Sequence, residues 1–194
     1  MKIEKKILTT VLFCLIILAG CKKDKDEDSS DNYIKYDGKM YPVDKGVLEN
    51  FGDNDDGVYN LDLSLISDGI TLIESQGELT GATGTGNIIY FEMYTNSSTQ
   101  LDNGNYEYNY LAEEPGTFDE GWIGINYDFD DEEGDIELEI EDGTITVTKN
   151  GYVYEITISC TDDAAKSVTG YYKGTLKYYD YGEKKSTITD KRRF

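Results

Sequence analysis

Apolar and polar residues alternate with a period of two along most of this chain, and that pattern leaves few folds open. Leu61, Leu63 and Leu65 alternate with Asn60, Asp62 and Ser64. Ile89, Phe91 and Met93 alternate with Ile88, Tyr90 and Glu92, and Ile123, Ile125, Tyr127 and Phe129 with Trp122, Gly124, Asn126 and Asp128. Successive side chains of a strand point to opposite faces, so each run predicts a strand with one face toward a core. No stretch after residue 20 keeps a helical period. Twenty glycines and two prolines supply the turns that many short strands need.

The C-terminal third carries the sharpest expectations. Asp142-Gly143 and Asn150-Gly151 are both hairpin signals of the type I′ kind. With two-residue loops, the first pairs Ile140 with Ile145 and Leu138 with Val147. The second pairs Val147 with Tyr154 and Ile145 with Ile156. Glu137, Glu139, Glu141, Thr144, Thr146 and Thr148 fall on the opposite, wet face. A fourth strand comes after the turn at 161–167, with Val168, Gly170, Tyr172, Gly174, Leu176 and Tyr178 on one side. One dry face requires a second layer, which the earlier strands provide. The expected fold is all-β, an antiparallel β-sandwich or open β-barrel with a C-terminal four-strand meander. Tyr33–Tyr36, Asp37-Gly38 and Lys39–Val43 read as a small opening hairpin, and the polar end as a last edge strand around Thr187–Thr189 or a frayed tail.

The first twenty residues are of another kind. Lys2, Lys5 and Lys6 precede an apolar stretch, Ile7 to Ala19, too short to span a bilayer and long enough for a signal peptide. Leu18-Ala19-Gly20-Cys21 then resembles the bacterial lipobox. That resemblance implies cleavage before Cys21 and diacylation of its sulfur, and each buried CH₂ of such a lipid contributes about 0.8 kcal/mol of anchoring. Residues 22–32 contain no apolar side chain and cannot offset their own ordering entropy. The expected organisation is a signal peptide at 1–20, a disordered acidic tether at 21–32, and a single all-β domain at 33–190. The Lys22-Lys23-Asp24-Lys25-Asp26-Glu27-Asp28 cluster resembles the export signal of surface lipoproteins in the Bacteroidetes. Tyr36-Asp37-Gly38-Lys39, Tyr59-Asn60-Leu61-Asp62-Leu63 and Gly170-Tyr171-Tyr172-Lys173-Gly174 loosely resemble a group of uncharacterised lipoproteins from the same bacteria. This resemblance implies a β-sandwich on the cell envelope and no activity, and carries over no functional residue; with the export-signal resemblance, the expected location is the outer membrane, exposed at the cell surface.

Charge restricts the partners. The chain has 39 acidic and 18 basic residues and no histidine. Removal of residues 1–20 leaves 38 acids and 15 bases, a net charge of −23. Such a field repels nucleic acid and anionic lipid headgroups. With Cys14 removed and Cys21 acylated, Cys160 has no intrachain partner. It lies on the apolar side of its strand, and without histidine to activate it, it reads as a buried structural thiol.

Three sets of residues carry candidate chemistry. Tyr106, Tyr108 and Tyr110 fall on one face of a strand, where flat rings beside amides suit a glycan or a protein partner; tyrosine also simply fills half-buried sheet faces. Trp122 alternates away from Ile123 and Ile125, so it stands on a second packed face or in solvent, and only the latter favours a ligand. The run Asp128, Asp130, Asp131, Glu133 and Asp135 offers oxygen ligands of the kind Ca²⁺ takes, and equally resembles a solvated loop tip. The shorter cluster Asp53-Asn54-Asp55-Asp56-Gly57 lacks the calcium-loop spacing. No other cofactor is expected. The expectation is a lipid-anchored binding protein without catalytic residues, its ligand a glycan or a protein. A structural or assembly lipoprotein is the alternative, and a hydrolase a third reading.

Overall fold

A computed structural model describes residues 32–54 and 57–182. The expected signal peptide, Cys21, the tether up to Asp31, Asp55, Asp56 and the expected strand at 187–189 lie outside the described residues. The described residues form thirteen strands: β1 (Tyr33–Tyr36), β2 (Lys39–Pro42), β3 (Lys45–Asp53), β4 (Tyr59–Ile66), β5 (Thr71–Ser75), β6 (Glu78–Thr83), β7 (Thr85–Thr95), β8 (Gly104–Tyr108), β9 (Thr117–Asp128), β10 (Ile136–Asn150), β11 (Val153–Asp162), β12 (Ser167–Gly174) and β13 (Leu176–Asp180). There is no α-helix among the described residues. The protein is all-β, as the alternation predicts.

Eleven strands make one sheet in the order β13-β3-β4-β7-β9-β8-β10-β11-β12-β1-β2, and β5-β6 form a separate hairpin. Most pairs are antiparallel; β13–β3 and β8–β9 are parallel. Connectivity forces this sheet to curl. β12 and β13 stand far apart in the pairing order, yet Thr175 alone joins them. β2 and β3 likewise are joined by Val43 and Asp44 alone. Consecutive Cα atoms are about 3.8 Å apart, so the two ends of the sheet must come near each other, and the sheet curls into an open half-barrel. Its interior is filled: Leu63, Phe91, Ile123, Ile145, Ile156 and Val168, from six strands, belong to one buried cluster. Cys160 is buried in it, and burial pushes its thiol up to about 12.

Four expected features differ. Asp142-Gly143 is not a turn. β10 runs unbroken through it, with a register shift between Ile140 and Asp142. The extra residue of a bulge flips the facing of the residues after it, so Ile140 and Ile145, five apart, still both face the core. A hairpin would meet the same parity, which is why the two look alike in sequence. The continuous strand wins because its first half also pairs apolar residues with β9, Ile136 with Ile125 and Leu138 with Ile123. Gly143 serves close approach: a Cβ there would lie 2.4 Å from Cys160 Cα. The second hairpin forms, but Asn150 pairs with Val153 around a Gly151-Tyr152 turn. Val147 therefore faces Ile156 and Ile145 faces Ile158, a shift of two that preserves the dry face. The expected fourth strand breaks at Thr175: β12 stays with β11, and β13 departs to β3. Tyr127 and Phe129 also leave the face of Ile123 and Ile125, because Asn126 adopts φ +50° beside a register shift.

The outer face of β3-β4-β7-β9 is covered as well. The β5-β6 hairpin lays Leu72 and Leu79 over it. Leu79 joins Val47, Tyr179 and Tyr181, and Leu72 and Ala82 pack against Ile66, Ile70, Ile88 and Tyr127.

Candidate functional site

The expected aromatic platform is not formed. Tyr106 is 2% exposed and belongs to the core. Its hydroxyl accepts from Asp102 N at 2.8 Å, fastening a loop. Tyr108 packs against Phe118 with ring centroids 5.5 Å apart, and only Tyr110, beyond the end of β8, is exposed. Trp122 takes the packed alternative, edge-on to Tyr127 at 5.1 Å within the layer under the hairpin. In the acidic run, Asp128 accepts from Asp130 N, Asp131 N and Thr85 Oγ1, and Asp130 from Thr83 Oγ1 and Gly84 N. Asp135 accepts from Asn126 Nδ2. These carboxylates bind their own loop and the β6–β7 junction beside it, and no three acidic or thiol side chains among the described residues are placed to hold a metal ion.

Open space lies elsewhere, at the seam where β12 gives way to β13. A cleft of about 770 Å³ is bounded by the start of β3, the first strand of the covering hairpin and the β12–β13 joint. Gly46 sets its floor: a Cβ there would lie 2.3 Å from Leu176 and 3.0 Å from Tyr172. Tyr172 Oη donates to Thr175 O at 2.8 Å and braces the joint. The parallel register places Lys177 beside Val47, on the outer face. Lys45, Lys173 and Lys177 all line the cleft. Seven lysines and no arginine occur among the described residues, so nearly half of their positive charge gathers here.

Each of these three lysines is ion-paired. Lys45 Nζ lies 3.4 Å from Asp68 Oδ1 and donates to Ile70 O at 2.9 Å. Lys173 Nζ donates to Glu155 Oε2 at 3.0 Å, and Lys177 Nζ to Glu74 Oε1. The bonds hold the Glu155 and Glu74 carboxyls below their usual range and raise the two lysines. All three pairs are substantially exposed. Pairs of this kind contribute about 0–1 kcal/mol and exchange readily for a ligand group.

A second polar cluster occupies the covered face. Glu49 pairs with Asp62, Asp62 with Glu92 and Glu92 with Glu120, one carboxylate on each of four adjacent strands in a single cross-strand row. A bulge opposite Glu92 adds Asp119. Tyr94 Oη lies 2.8 Å from Asp119 Oδ2 and 3.3 Å from Glu92 Oε1. Tyr90 Oη donates to Asp62 Oδ2 at 2.6 Å, and Asn60 Nδ2 to Glu92 Oε1. Burial pushes Glu49 up to about 7 and raises Glu92 and Asp119. Burial likewise drives the Tyr90 and Tyr94 hydroxyls well up. Asn60 Oδ1, Ser64 Oγ and Asp119 Oδ1 are buried without a hydrogen-bond partner. None of these residues lines the cleft.

Neither cluster is singled out by the alternation alone. The carboxylate row leaves one trace, since Glu49 and Glu92 interrupt largely apolar strands, whereas Asp62 falls among the regular polar positions Asn60 and Ser64. Lys45, Lys173 and Lys177 leave none, because they meet only when the seam closes. Comparison with family models, with curated proteins and with solved structures finds no match for this chain.

Proposed function

We propose that this protein is a lipid-anchored binding protein of the bacterial cell envelope, held at the outer membrane through Cys21 and exposed at the cell surface, with its ligand seated in the seam cleft. The observation that carries the reading is the cleft itself. It is an open concavity of small-ligand size, lined by both apolar and charged groups. A second cleft, beside Asp102 and Asn105, holds only about 180 Å³. The anchor and the location rest on the lipobox and on the charged segment behind it, and the resemblance to Bacteroidetes lipoproteins supports both. Asn32, where that segment joins the domain, donates to Lys173 O at 3.4 Å and accepts from Lys173 N at 2.7 Å. The tether therefore reaches the domain beside the cleft, which suits a ligand belonging to the envelope or its immediate surroundings. Placing the site in the cleft replaces the tyrosine platform, whose first ring, Tyr106, is core.

The test uses the chain in its bacterial host. Labelled palmitate should be incorporated, and Cys21→Ser should abolish both incorporation and membrane partitioning. Screening of the purified chain against glycan and envelope-protein panels should return ligands whose binding is lost in Thr71→Trp, which fills the cleft from an exposed position. Binding that survives Thr71→Trp would move the site off the seam.

A further inference from the structure

We propose that the ligand of the seam cleft is an anionic oligosaccharide of two or three rings, its acidic groups held by Lys173 and Lys177; this rests on the cleft being the binding site. The size follows from the volume of about 770 Å³, within the ~300–1,000 Å³ of small-molecule sites. The sign follows from the spare donors of Lys173 and Lys177, since each lysine's charge is already met by a carboxylate. Three of the seven among the described residues converge on one cleft of a chain with 39 acids. Lys173 spends one donor on Glu155, and Lys177 is held by Glu74 and Tyr179; an ammonium has three donors, so each keeps at least one. Lys45 is committed to Asp68 and Ile70, which meet its charge and its donors.

The hydroxylated body follows from the remaining lining. Asp44 and Glu74 accept hydrogen bonds, and Thr71 and Thr175 both donate and accept. A ligand carrying anionic groups alone would place some of them against Asp44 and Glu74. A sugar acid offers hydroxyls to those carboxylates and its charge to the lysines. Leu72, Val47 and Leu176 provide apolar surface for the sugar's C–H faces. The negative field of the whole chain does not forbid this, because it is screened beyond about 8 Å at physiological ionic strength, whereas the lysines act at contact.

Fluorescence anisotropy of the purified chain with labelled oligosaccharides tests the proposal. The probes are a trigalacturonate, a sulfated trisaccharide, neutral maltotriose and hexaglutamate. The expected result is binding of at least one anionic saccharide, with maltotriose weaker by tenfold or more. Lys173→Gln and Lys177→Gln should each weaken the anionic probe by about tenfold, the scale of a charge-assisted hydrogen bond, with an unchanged thermal midpoint confirming the fold. Preference between carboxylate and sulfate identifies the anion. Maltotriose bound as tightly as the anionic probes, yet lost in Thr71→Trp, overturns the anionic ligand and leaves the cleft. Anionic binding indifferent to Thr71→Trp and to both lysine variants overturns the cleft. Capture of hexaglutamate alone, or of no probe, overturns the saccharide.

Discussion

The seam and the covered face handle charge in opposite ways. At the seam, Lys45, Lys173 and Lys177 meet carboxylates in water, and each pair is loose, screened and replaceable. On the outer face of the sheet, Glu49, Glu92 and Asp119 are desolvated, none is ion-paired with a described residue, and their carboxyls answer by holding protons more tightly. The difference teaches where this barrel can exchange partners. A group whose bonds are weak and wet can trade them for a ligand. A group buried among phenols and amides has its bonding fixed by the fold, so changing it is felt as stability.

The sharpest way to break that contrast is at Glu49. Burial raises its carboxyl from 4.5 to about 7, so the folded state binds the proton more tightly than the unfolded chain. Its contribution is fully present below about pH 4.5 and is lost as pH rises through 7. Urea denaturation should show stability falling over that window, and Glu49→Gln should flatten the fall and exceed the parent by about 3 kcal/mol at about pH 8. An unchanged pH profile in the variant would place the carboxylate in water and dissolve the distinction. Next in size is Tyr94→Phe, which removes the hydroxyl between Glu92 and Asp119. A loss of about 1–3 kcal/mol is expected in the same assay, and a silent substitution would mean the carboxyls pair without it. The smallest effect belongs to the seam. Lys177→Gln should cost less than about 1 kcal/mol, a difference that vanishes in about 1 M salt; a larger, salt-resistant loss would make the ion pair structural and unfit for exchange.

Legibility in the sequence depended on the reach of each pattern. Alternation is local and survives tertiary detail, so the all-β class and the β1-β2 hairpin at Asp37-Gly38 could be read directly. Parity was legible too: Ile140, Ile145 and Ile156 face the core as expected although both of their registers differ. The choice between devices with the same parity lay hidden, turn or bulge at Asp142-Gly143, because pairing with β9 decides it. Asn126 hid a bulge in the same way and carried Tyr127 and Phe129 to the other face. The tyrosine row failed because alternation assigns a face and says nothing about which face is dry; Tyr106 went inward. The lysines of the seam come from positions 45, 173 and 177, and only closure joins them.

That closure has a consequence for how the chain is made. Asn50 and Asp180 are bonded across 130 positions of sequence at 2.9 Å, and β13 reaches its place through one residue, Thr175. Pairing so remote in sequence is slow to form. The sheet therefore lacks its outermost strand until the thirteenth has emerged from whatever machinery delivers it, and a nascent chain halted before Leu176 would have neither that edge nor the Leu176 and Lys177 wall of the cleft.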